Sequence, residues 1–138
     1  MSFLKNVFGA SDEEKPNNKM EWNQLTAMDQ LDLIVSMSEE KAVLIFKHST
    51  RCSISRFALK QFENDFNLEE KINPYFLDLL NYRAISNEIA IRFNVQHQSP
   101  QVLLIKNGVV VYDASHSDIA VEELKKFVEE NEKKTENV

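Results

Sequence analysis

Residues 42–55 read Ala42-Val-Leu-Ile-Phe-Lys-His-Ser-Thr-Arg-Cys-Ser-Ile-Ser55. The run from Ala42 to Phe46 is continuously apolar, which suits a central strand buried on both faces, as in parallel sheets. Ser49 and Thr50 follow, residue types that favour a helix N-cap. From there the apolar residues fall at Ile54, Phe57, Ala58, Phe62 and Phe66, the period of one helix face. The stretch reads as strand, turn and helix, with Cys52 at the helix start.

Working outward, Glu21 to Leu25 reads as a short strand. Thr26 with Asp29 resembles a capping box in which Asp replaces the usual Glu or Gln. Leu31, Ile34, Val35 and Met37 then keep helical spacing. Downstream, Asn73-Pro74 closes the Cys52 helix region and Tyr75 to Leu80 reads as a strand. Ile85, Ile89, Ala90 and Phe93 mark another helix. Val102 to Ile105 and Val109 to Tyr112 are strands joined by Asn107-Gly108, the strongest short hairpin signal. Ser117 or Asp118 is placed to cap a last helix carrying Ile119, Val121, Leu124, Phe127 and Val128. The order is β-α-β-α-β-α-β-β-α. Such alternation implies an α/β fold with parallel strands, right-handed crossovers and an antiparallel closing hairpin.

The chain has 138 residues, 43% hydrophobic and 28% charged, with a net charge of −6. That is one domain's worth of chain with enough apolar residues for a core. The expected boundaries are a flexible tail over 1–19, a folded domain over 20–131 and a charged tail over 132–138. Phe3, Leu4, Val7 and Phe8 offer one apolar helix turn, either a frayed end or a docking segment, and 11–19 reads as a polar linker. No run approaches the roughly 18 apolar residues of a membrane span. Met1 to Ala10 is too short and too weakly apolar for a secretory signal. The expectation is a cytoplasmic protein without membrane contact. An acidic chain lacking a basic stripe is also a poor match for nucleic acid. One cysteine excludes an internal disulfide and multi-cysteine metal sites, and no metal site is expected. A lone cysteine is commonly a small buried hydrophobe, and composition leaves that reading of Cys52 open.

The element order, with a Cys opening the helix after the central strand, resembles the thioredoxin superfamily over about residues 20–130. Cys52-Ser-Ile-Ser55 stands where that family has Cys-x-x-Cys, and Ser99-Pro100 resembles its cis-proline segment. More narrowly, Lys47-His-Ser-Thr-Arg-Cys-Ser-Ile-Ser55, Gln96-His-Gln-Ser-Pro-Gln101 and Asp113-Ala-Ser-His-Ser-Asp118 together resemble the monothiol bacilliredoxins of the bacillithiol system. The resemblance implies a thioredoxin-like three-layer fold, a central mixed sheet flanked by helices. It also implies thiol–disulfide exchange at Cys52 on S-thiolated proteins. No tightly bound cofactor is implied; bacillithiol or a similar low-molecular-weight thiol would be co-substrate. Glutathione and coenzyme A meet the same requirement of an anionic thiol.

A thiolate, not a thiol, attacks a disulfide. Unpaired N–H groups and the positive dipole end at a helix start stabilise it. Residues 47–60 add Lys47, Arg51, Arg56 and Lys60, and contain none of the chain's 22 acids. Arg51, beside Cys52, is the strongest candidate among them. A stabilised thiolate is more abundant but less nucleophilic, with a Brønsted coefficient of about 0.4–0.5. The two effects nearly cancel on attack, so the gain falls mainly on the step in which Cys52 leaves. Ser55 cannot resolve a mixed disulfide; at most its hydroxyl donates to the Cys52 thiolate. Thioredoxins place an Asp six residues before the first Cys to serve the second one, and here that position is Phe46.

By resemblance, Ser99 and Pro100 line the site, with His97 and Gln98 just upstream. Ser117 and Asp118 are candidates for binding a small thiol's polar groups, at a loop where glutaredoxins hold glutathione. Two readings compete with exchange chemistry. One is a non-catalytic thioredoxin-fold module that binds partners or senses redox state. The other is iron–sulfur transfer as in monothiol glutaredoxins, but those rely on Cys-Gly-Phe-Ser, from which Ser53 and Ile54 depart.

Overall fold

The computed structural model describes residues 20–137, with side chains through Glu129. The Phe3–Phe8 turn, the 11–19 linker and Val138 lie outside the described residues. The elements are β1 (Asn23–Gln24), α1 (Gln30–Met37), β2 (Ala42–His48), α2 (Ser53–Asp65), β3 (Ile72–Asp78), α3 (Arg83–Phe93), β4 (Gln101–Lys106), β5 (Val109–Ser115) and α4 (Val121–Asn137), with a 3-10 turn at His116–Asp118. This is the expected order. The sheet runs β1-β3-β2-β4-β5, with β1, β3 and β2 parallel and β4 and β5 antiparallel to their neighbours.

Strand β2 lies at the centre of the sheet, and all seven of its residues are buried. Its side chains alternate between two cores. Leu44 and Phe46 face α2 and α4, joining Phe62, Phe66, Val102, Leu104, Leu124 and Val128. Val43 and Ile45 face α1 and α3, joining Leu31, Ile34, Leu77, Ile85, Ile89, Leu103 and Ile105. A sheet covered on both faces needs apolar residues at every position of its central strand, which is why the run is unbroken. On the α2 side the rings pack edge to face: Phe46 meets Phe62 at 5.5 Å and Trp22 at 5.9 Å between centroids. Trp22 Nε1 donates to Glu63 at 2.7 Å and ties the β1 edge to α2.

Local structure departs from the sequence expectations at five places. Strand β3 starts at Ile72, so Asn73-Pro74 lies inside it. Pro74 O accepts from the Asn23 side chain on the β1 side. In a strand a residue's N and O point the same way, so the missing N–H also falls on that side, where β1 is only two residues long. The turn before α1 is closed not by an Asp29 box but by Gln30, whose Oε1 accepts from Thr26 N at 2.8 Å and Ala27 N at 2.9 Å. Ser49 and Thr50 do not cap α2; Cys52 itself occupies the N-cap. Ser117 and Asp118 belong to the 3-10 turn and precede α4 without capping it. The backbone of α4 continues to Asn137, through the stretch read from sequence as a tail.

The hairpin turn follows expectation. Asn107 and Gly108 both have positive φ, 53° and 77°, as a tight two-residue connection requires. Ser38, at the end of α1, locks it: Ser38 O accepts from Asn107 N and Ser38 Oγ from Gly108 N, both at 2.8 Å.

Candidate active site

The register places the site. Lys47 of β2 pairs with Gln101 of β4. The chain leaving β2 toward Cys52 and the chain entering β4 from Pro100 therefore meet at one end of the sheet. Cys52 is half-buried, its backbone is extended (φ −105°, ψ 122°), and α2 starts at the next residue. Its O accepts from Arg56 N at 3.0 Å, and its N donates to Ser49 O at 3.2 Å. Arg56 also reaches back to Thr50 O at 3.1 Å, closing the turn that carries the thiol. The sulfur stands at a helix start where backbone N–H groups have no helical acceptor.

Ser55, one turn on, is fully buried, with no exposed surface. Its Oγ accepts from Ser49 N at 3.0 Å and lies 2.8 Å from His48 Nδ1. Both hydrogen bonds seen at this hydroxyl thus go to β2 and the turn after it rather than to Cys52. The imidazole of His48 packs against Phe76. Burial pushes its pKa below the ordinary 6.5; Asp78 opposes this and Arg56 adds to it.

The four cations around Cys52 separate in space. Arg51, Arg56 and Lys60 are exposed on the turn and on α2. Lys47 is not among them: it is fully buried on the other face of the sheet. Its Nζ donates to Ser86 O at 3.3 Å and lies 3.2 Å from His97 Nδ1. Burial lowers its pKa from 10.5 to about 8. An ammonium only donates, so the His97 ring nitrogen is the acceptor. His97 itself is held below 6.5, by burial first and then by Lys47 and Arg83.

His97 belongs to the loop before β4, and this loop is pinned at several points. Gln101 is buried, and its amide bridges the loop: Nε2 donates to Gln96 O at 3.0 Å and Oε1 accepts from Gln98 N at 3.4 Å. The Ser99–Pro100 peptide is cis. Pro100 is buried, and its O accepts from His116 N at 3.0 Å. Ser99 Oγ is buried with no hydrogen-bond partner among the described residues.

Ile54 and Phe57 do not face the core as their spacing suggests; they are 57% and 70% exposed. The inward stripe of α2 is Ser55, Leu59, Phe62 and Phe66, and these two residues lie on its flank. With Ala58, Gln61, His116, Ser117 and Ile119 they line a largely apolar groove of about 200 Å³, starting two residues from Cys52. Ser117 therefore stands beside the groove, while Asp118 is exposed on the same turn.

Sequence reading missed the roles of His48, Lys47, Gln101 and His116. Only the polar pair Lys47-His48, ending an apolar central strand, signalled that something there needed burial. Among the described residues, no group of three or more His, Cys, Asp or Glu is placed to hold a metal ion. No helix among them is long and apolar enough to cross a membrane.

Comparison with known proteins agrees with this architecture. A solved structure described as a candidate oxidoreductase with a thioredoxin fold is 37% identical, with a TM-score of 0.64 over 75% of this chain and 89% of that one. Thioredoxin Mala s 13 of Malassezia sympodialis is 17% identical, with a TM-score of 0.62 over 82% and 92%. Thioredoxin O2 of Arabidopsis thaliana is 18% identical, with a TM-score of 0.59 over 79% and 92%. These two share the fold. The family model of monothiol bacilliredoxin BrxC matches residues 23–134. A thioredoxin fold with its lone cysteine at the start of α2 and a serine one turn later thus belongs to the monothiol bacilliredoxin family of oxidoreductases.

Proposed function

We propose that this protein removes a low-molecular-weight thiol, bacillithiol in the first instance, from S-thiolated proteins. The Cys52 thiolate attacks the small-thiol sulfur of a mixed disulfide, and the protein's cysteine leaves as thiolate. Cys52 now carries the small thiol. A second small thiol attacks the carried sulfur, forms a free disulfide and releases Cys52. The observation that carries this reading is the half-exposed Cys52 at the start of α2 with Ser55 in place of a second thiol. A serine cannot complete the exchange internally, so an outside thiol must.

The remaining residues are assigned supporting roles. Arg51 attracts an anionic thiol. The backbone at Ser99-Pro100 lies along an extended substrate segment, with Gln98 and His97 shaping that loop. Ser117 and Asp118 contact polar groups of the small thiol, and the Ile54–Phe57 groove receives an apolar side chain of the protein substrate. The reaction is assigned to the cytoplasm, where thiols are kept reduced.

The test loads a protein with bacillithiol, glutathione or coenzyme A and follows release by wild type and Cys52→Ala. Release by wild type that is fastest from the bacillithiol adduct, with Cys52→Ala at background, is expected. Equal release by both chains refutes catalysis at Cys52.

A further inference from the structure

We propose that His48 is a positioning residue that directs the Ser55 hydroxyl proton, either into its own ring or outward to the Cys52 sulfur. The inference rests on Cys52 being the reacting thiol and goes on to assign control of its local hydrogen bonding.

A serine hydroxyl has one proton to give and two lone pairs to fill. The Ser49 N–H takes one lone pair at 3.0 Å. His48 Nδ1 is 2.8 Å away, close enough for a strong bond in either direction. When Nδ1 is bare, the hydroxyl proton goes to it and Ser55 has nothing to give Cys52. When Nδ1 carries a proton, it donates into the second lone pair. Both lone pairs are then filled and the hydroxyl proton is free. Cys52, at the N-cap three residues before Ser55, is the next acceptor in line.

The charged groups facing His48 are Asp78 from β3 and Arg56 from α2, which act in opposite senses, while burial favours the neutral ring. The ring is therefore neutral at neutral pH; with its one proton on Nε2, Nδ1 is bare there, and the outward state follows protonation of the ring below 6.5. No net atom or electron is gained; one proton enters from solvent at His48 and one hydrogen bond moves to the sulfur.

Iodoacetamide alkylation of the full-length protein, from about pH 5 to about pH 9, spans this titration. Wild type is expected to show two inflections. The lower one should enhance the rate about two- to threefold over a single-ionisation curve: about fivefold more thiolate from one hydrogen bond, less the loss of nucleophilicity. Ser55→Ala and His48→Gln are each expected to remove it. Persistence in Ser55→Ala overturns the proposal, because the imidazolium charge alone then explains the step. A single inflection in wild type overturns it as well. A check that needs no variant is nitrogen-15 NMR of the His48 ring near about pH 7.5, above its titration. An unprotonated Nδ1 supports the proposal and a protonated one overturns it. Neither readout uses a small-thiol substrate, so failure of the release assay above would leave both interpretable.

Discussion

Lys47 and His48 are consecutive residues of one strand, both basic and both buried, yet they serve opposite sides of the site. His48 projects toward α2 and holds the Ser55 hydroxyl one turn after Cys52. Lys47 projects toward α3 and holds Ser86 and His97, the latter in the loop that ends in Pro100. Successive strand residues point to opposite faces. One dipeptide at the end of β2 therefore tethers two walls of the site, the start of α2 and the loop before β4. The difference lies in what each tether reaches: the Ser55 hydroxyl, one turn after Cys52, in one case, and the loop before β4 in the other. Disturbing His48 should alter sulfur chemistry, and disturbing the Lys47 side should alter loop stability with little effect on sulfur reactivity.

The largest expected effect lies just before both tethers. Phe46 is fully buried among Trp22 and Phe62. Phe46→Ala should cost about 3–5 kcal/mol in urea unfolding, more than the loss of either tether. A smaller loss would mean that the polar end of β2, not its apolar run, anchors the strand. Next comes the loop wall. Gln101→Ala leaves Gln96 O and Gln98 N without their partner and should cost about 1–3 kcal/mol. Its Cys52 alkylation rate at neutral pH should match wild type. A changed rate would show that the two walls are coupled.

Lys47→Met separates the tethers by pH. The folded pKa of Lys47 is about 8 against 10.5 in the unfolded chain. Between those values the unfolded state binds more protons, so stability rises with pH across the window and is lost as pH falls toward 8. Wild type should gain on the variant between pH 8 and 10.5, measured by urea midpoints. Tyr75 and Tyr112, whose pKa values burial raises, are common to both chains and cancel. Parallel curves would sink the assignment. The smallest effect is that of Ser55→Ala near neutral pH, where the hydroxyl proton points away from the sulfur. Alkylation there should stay within about twofold of wild type, less than one neutral hydrogen bond is usually worth.

Much of this molecule is legible in its residues. The apolar run of β2, the helical spacing of α2 and Asn107-Gly108 carry local signals, because period and backbone preference act over a few residues. Where local signals conflicted with packing, packing decided. Ile54 and Phe57 share the α2 period yet stay out of the core, since only one stripe of a helix can face the sheet. Pro74 looks like a break but sits in β3, because the sheet edge beside it needs no N–H. Ser117 and Asp118 look like caps, but a 3-10 turn comes before α4.

At the site, the sequence alone determined that one thiol opens a helix with no second thiol a turn later, because residue identity and spacing are local facts. It could not determine what Ser55 and Lys47 touch. The nearest polar partners of Ser55 come from β2 and its following turn, and those of Lys47 from α3 and the loop before β4. The packing of helices on the sheet brings them together. Only the tertiary structure decided that the cation at residue 47 lies away from the sulfur and that the hydroxyl at residue 55 answers to His48. Burial leaves each polar group a single set of partners within reach, and the fold alone supplies that set.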